Sequence, residues 1–151
     1  LKHLLVLYHS QSGHTQALAE SVARGAGSEE TVACRLLRAF EAGTEDLLWA
    51  DAVIFGTPEN FGYMSGALKD FYDRTYESCR EQTEGLPYAV FISAGNDGTG
   101  AAYHIERILR GYAMKPVAEA LIVRGEVTDQ ALQQAQELGQ TLAAALEMGI
   151  C

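Results

Sequence analysis

Three stretches of this 151-residue chain bring together residue types whose spacing could do chemistry. The first is Ser10-Gln11-Ser12-Gly13-His14-Thr15, three hydroxyls and a glycine directly before a helical pattern. Free backbone N–H groups and the positive end of the dipole at a helix N-terminus favour an anion, so this stretch suits a phosphate. The plainer alternative is a polar strand-to-helix turn with a Ser or Thr cap. The stretch holds no Lys or Arg and does not fit GxxxxGK[ST], which argues against nucleoside triphosphate hydrolysis.

The second stretch runs from Gly56 to Gly66 and contains Pro58-Glu59-Asn60-Phe61-Gly62-Tyr63. A Phe and a Tyr beside Gly62 at a loop crest suit a flat ring, because aromatic faces stack and glycine lets backbone come close. Taken alone, both rings could equally tuck inward as core. The third stretch is Ser93-Ala94-Gly95-Asn96-Asp97-Gly98, followed by Thr99 and Gly100. Its glycines either turn backbone N–H groups toward a ligand or cap the helix that starts near Ala101. Gly98-Thr99-Gly100 begins a GxGxxG-like string, but Tyr103 stands at the last position. The string also follows the fourth strand, so a dinucleotide fingerprint is rejected.

The elements that must hold these stretches follow from periodicity. Short apolar runs at Leu4–Tyr8, Val32–Leu37, Ala52–Gly56, Tyr88–Ser93 and Ala120–Val123 read as five strands buried on both faces. Between them lie helical stripes: Leu18, Ala19, Val22, Ala23 and Ala26; Leu68, Phe71, Tyr72, Thr75, Tyr76 and Cys79; Ile105, Ile108, Leu109 and Tyr112; and Ala131, Leu132, Ala135, Leu138, Gly139, Leu142, Ala145 and Leu146. Thr44–Ala50 supplies a short fifth helix. Alternating strands and helices predict an α/β fold with a parallel sheet between two helical layers, as one domain over residues 1–151. In such sheets ligands bind beyond the carboxyl ends of the strands, which is where all three stretches fall.

Composition narrows the partners. Eleven Lys and Arg stand against 20 Asp and Glu, a formal net charge of −9, which argues against nucleic acid. Three separated cysteines, Cys34, Cys79 and Cys151, make no disulfide framework and read as a reduced, cytoplasmic setting. No run approaches the roughly 20 apolar residues of a membrane span, and Leu4–Tyr8 is too short for a signal segment. His3, His9, His14 and His104 have no metal-ligand spacing, so no metal is expected. Trp49 and Cys34 read as packing residues, and Lys69 and Asp73 as surface or structural ones.

Two longer patterns carry a family resemblance. Tyr8, Ser10, Gly13 and His14 fit Tyr-x-Ser-x-x-Gly-His, and Gly56 to Asp73 fit GTPxxFGxMSGxxKxFxD at every fixed position. The chain resembles the flavodoxin-like superfamily, and within it NAD(P)H:quinone oxidoreductases of the tryptophan-repressor-binding-protein type, along essentially its whole length. The resemblance implies a five-stranded sheet of order 2-1-3-4-5 with FMN where the winding reverses. It implies that Ser10, Gln11, Ser12, Gly13, His14 and Thr15 hold the ribityl phosphate. Asn60, Phe61 and Gly62 would line the isoalloxazine, with Pro58, Glu59 and Tyr63 beside them as further cofactor-binding residues. Ser93, Ala94, Gly95, Asn96, Asp97 and Gly98 would face its pyrimidine edge and dimethylbenzene side. NAD(P)H would be the electron donor and a quinone or similar small molecule the acceptor, in a homodimer or homotetramer. The flavin carries the chemistry, so no side chain is assigned a catalytic role. The alternatives are a flavodoxin-type one-electron carrier and a regulatory protein with a vestigial FMN site.

Overall fold

The computed structural model describes residues 1–149 and 151. Four full strands, β1 (Lys2–Tyr8), β2 (Val32–Arg38), β3 (Ala52–Pro58) and β4 (Pro87–Ala94), are followed by two short ones, β5 (Lys115–Pro116) and β6 (Leu121–Arg124). The helices are α1 (His14–Ala26), α2 (Thr44–Trp49), α3 (Gly66–Cys79), α4 (Thr99–Gly111) and α5 (Asp129–Met148). The named strands pair in parallel in the order β2-β1-β3-β4-β5, and β6 also pairs with β4.

Side chains of a strand alternate between faces, and both faces here are covered. Leu5, Leu7, Val53, Phe55, Val90 and Ile92 meet α3 and α4 through Leu68, Phe71, Ile105 and Leu109. Leu4, Val6, Ala52, Ile54, Ala89 and Phe91 meet α1 and α5 through Leu18, Val22, Leu138 and Leu142. Most of each expected helical stripe lies on these faces; Tyr76, Ile108 and Leu132 flank them half-buried, and Ala23 and Ala145 fall outside both cores. Helices α1 and α5 cross at backbone distance: a Cβ on Gly25 would strike the Gln136 carbonyl, and one on Gly139 the Val22 carbonyl.

The fifth strand departs from the expectation of one run at Ala120–Val123. Two segments pair with opposite ends of β4, Lys115–Pro116 with Pro87–Tyr88 and Leu121–Arg124 with Phe91–Ala94. Pro116, expected to precede the strand, lies inside its first segment, where an edge position tolerates a residue without an N–H. β2 departs too. It is an edge strand and only Val32 is fully buried, so Cys34 is half-covered rather than core, with burial pushing its thiol up to about 11.

Trp49 packs at the amino-terminal edge of the sheet, stacked on His3 at 4.3 Å with 7° between planes. The Arg35 guanidinium lies 3.9 Å from its ring centroid. Among the described residues no helix is long and apolar enough to cross a membrane, and no group of His, Cys, Asp and Glu is arranged to hold a metal ion.

Candidate functional site

The loops after β1, β3 and β4 come together at the carboxyl edge of the sheet, and each has a distinct local architecture. In the first, Gly13 is the N-cap of α1 with φ +98°, a conformation glycine adopts without penalty. Ser10 does the capping from three residues upstream, its Oγ accepting from Gly13 N at 3.2 Å and Gln16 N at 3.1 Å. The N–H groups of Gln11, Ser12, His14 and Thr15 have no protein acceptor among the described residues. Ser12 and His14 are exposed, and Thr15 is buried beneath the turn. Nothing stands within 4 Å of where a Gly13 Cβ would be. Free amides on a helix N-terminus, facing open space, fit a phosphate.

A cation also stands near, one that motif reading missed. Arg38 closes β2 opposite Tyr8, and its Nη2 donates to Gln16 Oε1 at 3.2 Å. Together with partial burial, which is the larger cause, Arg38 holds the His9 imidazole below the usual histidine value. The signal was available in the strand register, since the residue after a neighbouring strand reaches the same edge.

The second loop is a tight hairpin. Asn60 N donates to Tyr63 O at 2.8 Å and Tyr63 N to Asn60 O at 3.0 Å. Both central residues have positive φ, Phe61 at +54° and Gly62 at +71°, which matches a type I′ turn. That conformation is strained for a phenylalanine and strain of this kind collects at ligand sites. Phe61 is fully exposed (107%), so it is not core; Tyr63 turns back, half-buried, onto His104 with centroids 4.8 Å apart. Thr57 Oγ1 anchors the hairpin base, accepting from Ser65 N at 2.9 Å and donating to the Pro58 carbonyl at 2.8 Å.

The third loop is tied to the second. Glu59 turns its carboxylate onto α4, with Oε1 accepting from Gly98 N at 2.8 Å and Oε2 from Ala101 N at 3.2 Å. The Glu59 N–H donates to the Ser93 carbonyl at 2.9 Å. A Cβ on Gly100 would collide with the Gly62 carbonyl, so the α4 start lies directly on the hairpin. Gly98 takes φ +83° against Ile122, while Gly95, Asn96 and Asp97 are exposed and Ala94 is buried. Arg124 Nε donates to the Asp97 carbonyl at 2.9 Å and fixes the loop from β6. Asn60 Nδ2 donates to Gln11 Oε1 at 3.1 Å, which joins the second loop to the first. All 18 expected positions thus lie on three interlinked loops. Glu59 is committed to capping α4, and Gly100 and Arg124 are supports that sequence reading missed.

The sequence family described as NADPH-dependent FMN reductase matches residues 17–129. The chain belongs to this family. A flavodoxin of Aquifex aeolicus is 38% identical over 97 residues, spanning 64% of this chain and 52% of the relative. An NAD(P)H dehydrogenase (quinone) of Acidithiobacillus ferrooxidans is 34% identical over 130 residues, spanning 69% of this chain and 65% of the relative. The chain therefore covers between about half and two thirds of the length of these curated relatives. Among solved structures, a flavodoxin from the domain Archaea superposes with a TM-score of 0.86 at 26% identity, covering 96% of this chain and 99% of that one. A WrbA-like flavodoxin of Agrobacterium tumefaciens superposes at 0.81, with 22% identity and coverage of 98% and 99%.

Proposed function

We propose that this member of the FMN reductase family is a cytoplasmic oxidoreductase that binds FMN and passes electrons from NAD(P)H to a quinone or similar acceptor. The observation that carries the reading is the Asn60–Tyr63 hairpin, which holds an exposed aromatic ring at positive φ beside an open glycine and is tied to both neighbouring loops. The free amides of Gln11, Ser12, His14 and Thr15 support a phosphate position, with the Ser10, Ser12 and Thr15 hydroxyls as further donors. Phe61 would stack on the ring, and Gly62 and Gly95, with nothing within 4 Å of a built Cβ, give its edges backbone to meet. Asn96, Asp97 and Gly98 would face the remaining edge.

Bound FMN would supply the capacity to accept and donate hydride. The overall exchange balances as one hydride from the nicotinamide and one solvent proton added to the quinone, giving NAD(P)+ and a hydroquinone. What the chain contributes is binding and orientation. Ser10 fixes the phosphate turn, Glu59 fixes the spacing between hairpin and α4, and Phe61 presents a face. Unpaired thiols at Cys34, Cys79 and Cys151 support the reducing compartment. The exposed Phe61 and Tyr103 support self-association as a homodimer or homotetramer, which light scattering tests.

A second reading has its own support: a relative 38% identical over 97 residues and a structural neighbour at a TM-score of 0.86 are both flavodoxins, which favours a one-electron carrier. One experiment separates the two. The purified protein should be yellow, NADH or NADPH added without oxygen should bleach it, and benzoquinone should restore the colour. A yellow protein that reacts with neither nicotinamide is a carrier, and a colourless one that takes up no FMN overturns both readings.

A further inference from the structure

A cavity of about 540 Å³ lies between α3 and α4, away from the phosphate turn. Its walls are the rings of Tyr63, Tyr72, Tyr76 and Tyr112 with Ile108, and Gly111 leaves one side open. A second, shallower hollow of about 510 Å³ runs under the Phe61 crest and shares Tyr63, Lys69 and Asp73 with the first. The two therefore form one trough, from the exposed Phe61 to the aromatic cavity. Of the residues expected at the cofactor, Tyr63 alone lines the α3–α4 cavity among the described residues.

The chemistry of the walls limits what could lie there. Four charged side chains border the cavity, two of each sign: Lys69 and Arg107 against Asp73 and Glu77. Lys69 is paired with Asp73 at 2.6 Å and Glu77 with Arg80 at 3.5 Å. Arg107 is left without an ion pair among the described residues, and a single free cation beside two carboxylates gives little to a polyanion, whose phosphates would need several. It suits an uncharged chain that buries apolar surface against tyrosine rings.

We infer that the α3–α4 cavity holds the apolar side chain of the electron acceptor, whose quinone ring lies at the Phe61 end of the trough. The inference rests on the oxidoreductase reading for the identity of the ring, and it adds the class of acceptor: a quinone with an isoprenoid-like substituent rather than a bare ring. Gly111 is the residue that keeps the cavity open. It sits at the last turn of α4, and a Cβ there would meet only Tyr76 Cε1, at 3.9 Å.

The test is calorimetric titration of the FMN-loaded chain with 2,3-dimethoxy-5-methyl-1,4-benzoquinone, with and without one isoprenyl unit. The substituted quinone should bind about tenfold or more tighter. Gly111→Leu, which places a side chain inside the cavity, should cut that ratio below about twofold. Ile108→Ala, which enlarges the cavity instead, provides a second variant, and it should lower the ratio by about threefold through lost contact. Arg107→Gln should leave the ratio unchanged. Equal binding of the two quinones to the wild type, or a ratio untouched by both cavity variants, overturns the inference. So does a cavity that takes NADPH, seen as Arg107→Gln and Gly111→Leu weakening NADPH binding but not the quinone ratio. Failure of the oxidoreductase reading is distinguished by the absence of FMN uptake in a parallel titration.

Discussion

Replacing Glu59 with alanine removes the side-chain cap on α4 seen among the described residues and, with it, the carboxylate tie between the second and third loops. Gly98, the N-cap residue, has no side chain to offer, so the Glu59 carboxylate satisfies the helix N-terminus from 39 residues away in sequence. Loss of an N-cap costs about 0.5–2 kcal/mol, and loss of a negative charge at a helix N-terminus adds about 0.3–1 kcal/mol. Glu59 is half-exposed and water can replace part of what is lost, so about 1–2 kcal/mol in total is expected. At about 2–4 °C per kcal/mol for a chain of this size, the melting temperature should fall by about 2–8 °C. FMN affinity should fall by about tenfold, because binding must then re-order a residue or two at the joined loops. Glu59→Gln keeps one acceptor oxygen and should recover part of both losses. The assays are scanning calorimetry of the FMN-free chain and titration of FMN fluorescence. A Glu59→Ala chain that melts within 1 °C (about the error of a scan) of the wild type, with unchanged FMN affinity, would refute the assignment.

Four further outcomes follow from the geometry. Thr15→Ala should weaken FMN by about tenfold or more while leaving riboflavin nearly unaffected, as read by fluorescence titration; equal losses would remove the phosphate from this turn. Phe61→Gly relieves a positive φ and should stabilise the FMN-free chain by about 1 kcal/mol while weakening FMN, so a lower melting temperature would contradict the strain. The Tyr72 hydroxyl is sealed from solvent without a partner, its ionisation pushed well upward by burial first and the neighbouring tyrosines second. Tyr72→Phe should therefore stabilise by about 1 kcal/mol in chemical denaturation, and a loss would mean that a partner had been overlooked. His9 is held below its ordinary value, so the unfolded chain binds its proton first; stability should drop as pH falls below about 6.5, and His9→Gln should flatten that slope in melting curves taken from pH 7.5 to 5.

Much of this was legible in sequence because it is local. Leu18, Val22 and Ala26, or Leu138 and Leu142, repeat at helical spacing and their burial follows directly. The three loops could be placed because parallel sheets gather them at one edge. What stayed hidden depends on contacts distant in sequence or on unusual turn chemistry. A type I′ turn is signalled by Asn-Gly at its centre, and here Phe61 occupies the first central position. Glu59 reads as a polar loop residue until α4 is brought beside it. The division of the fifth strand depends on where β4 presents its edge, which no run of residues around Pro116 encodes. Tyr76 repeats the apolar stripe of α3, yet its ring lines a cavity because Gly111 stands opposite.

The close crossing of α1 and α5 bears on how the molecule is made. Every residue assigned to the three loops has been joined to the chain before residues 129–148 are synthesised. Helix α1, which begins at the phosphate turn, is covered on its outer side only when Gly139 can reach the Val22 carbonyl and Gln136 can settle on Gly25. Until then Leu18 and Val22 rest on the sheet while the side of the helix that α5 covers, at Val22 and Gly25, stays open to water. A nascent chain therefore contains the whole site in covalent form without being able to hold it in place. Firm cofactor capture waits on α5, whose closing over α1 completes the seat of the phosphate turn.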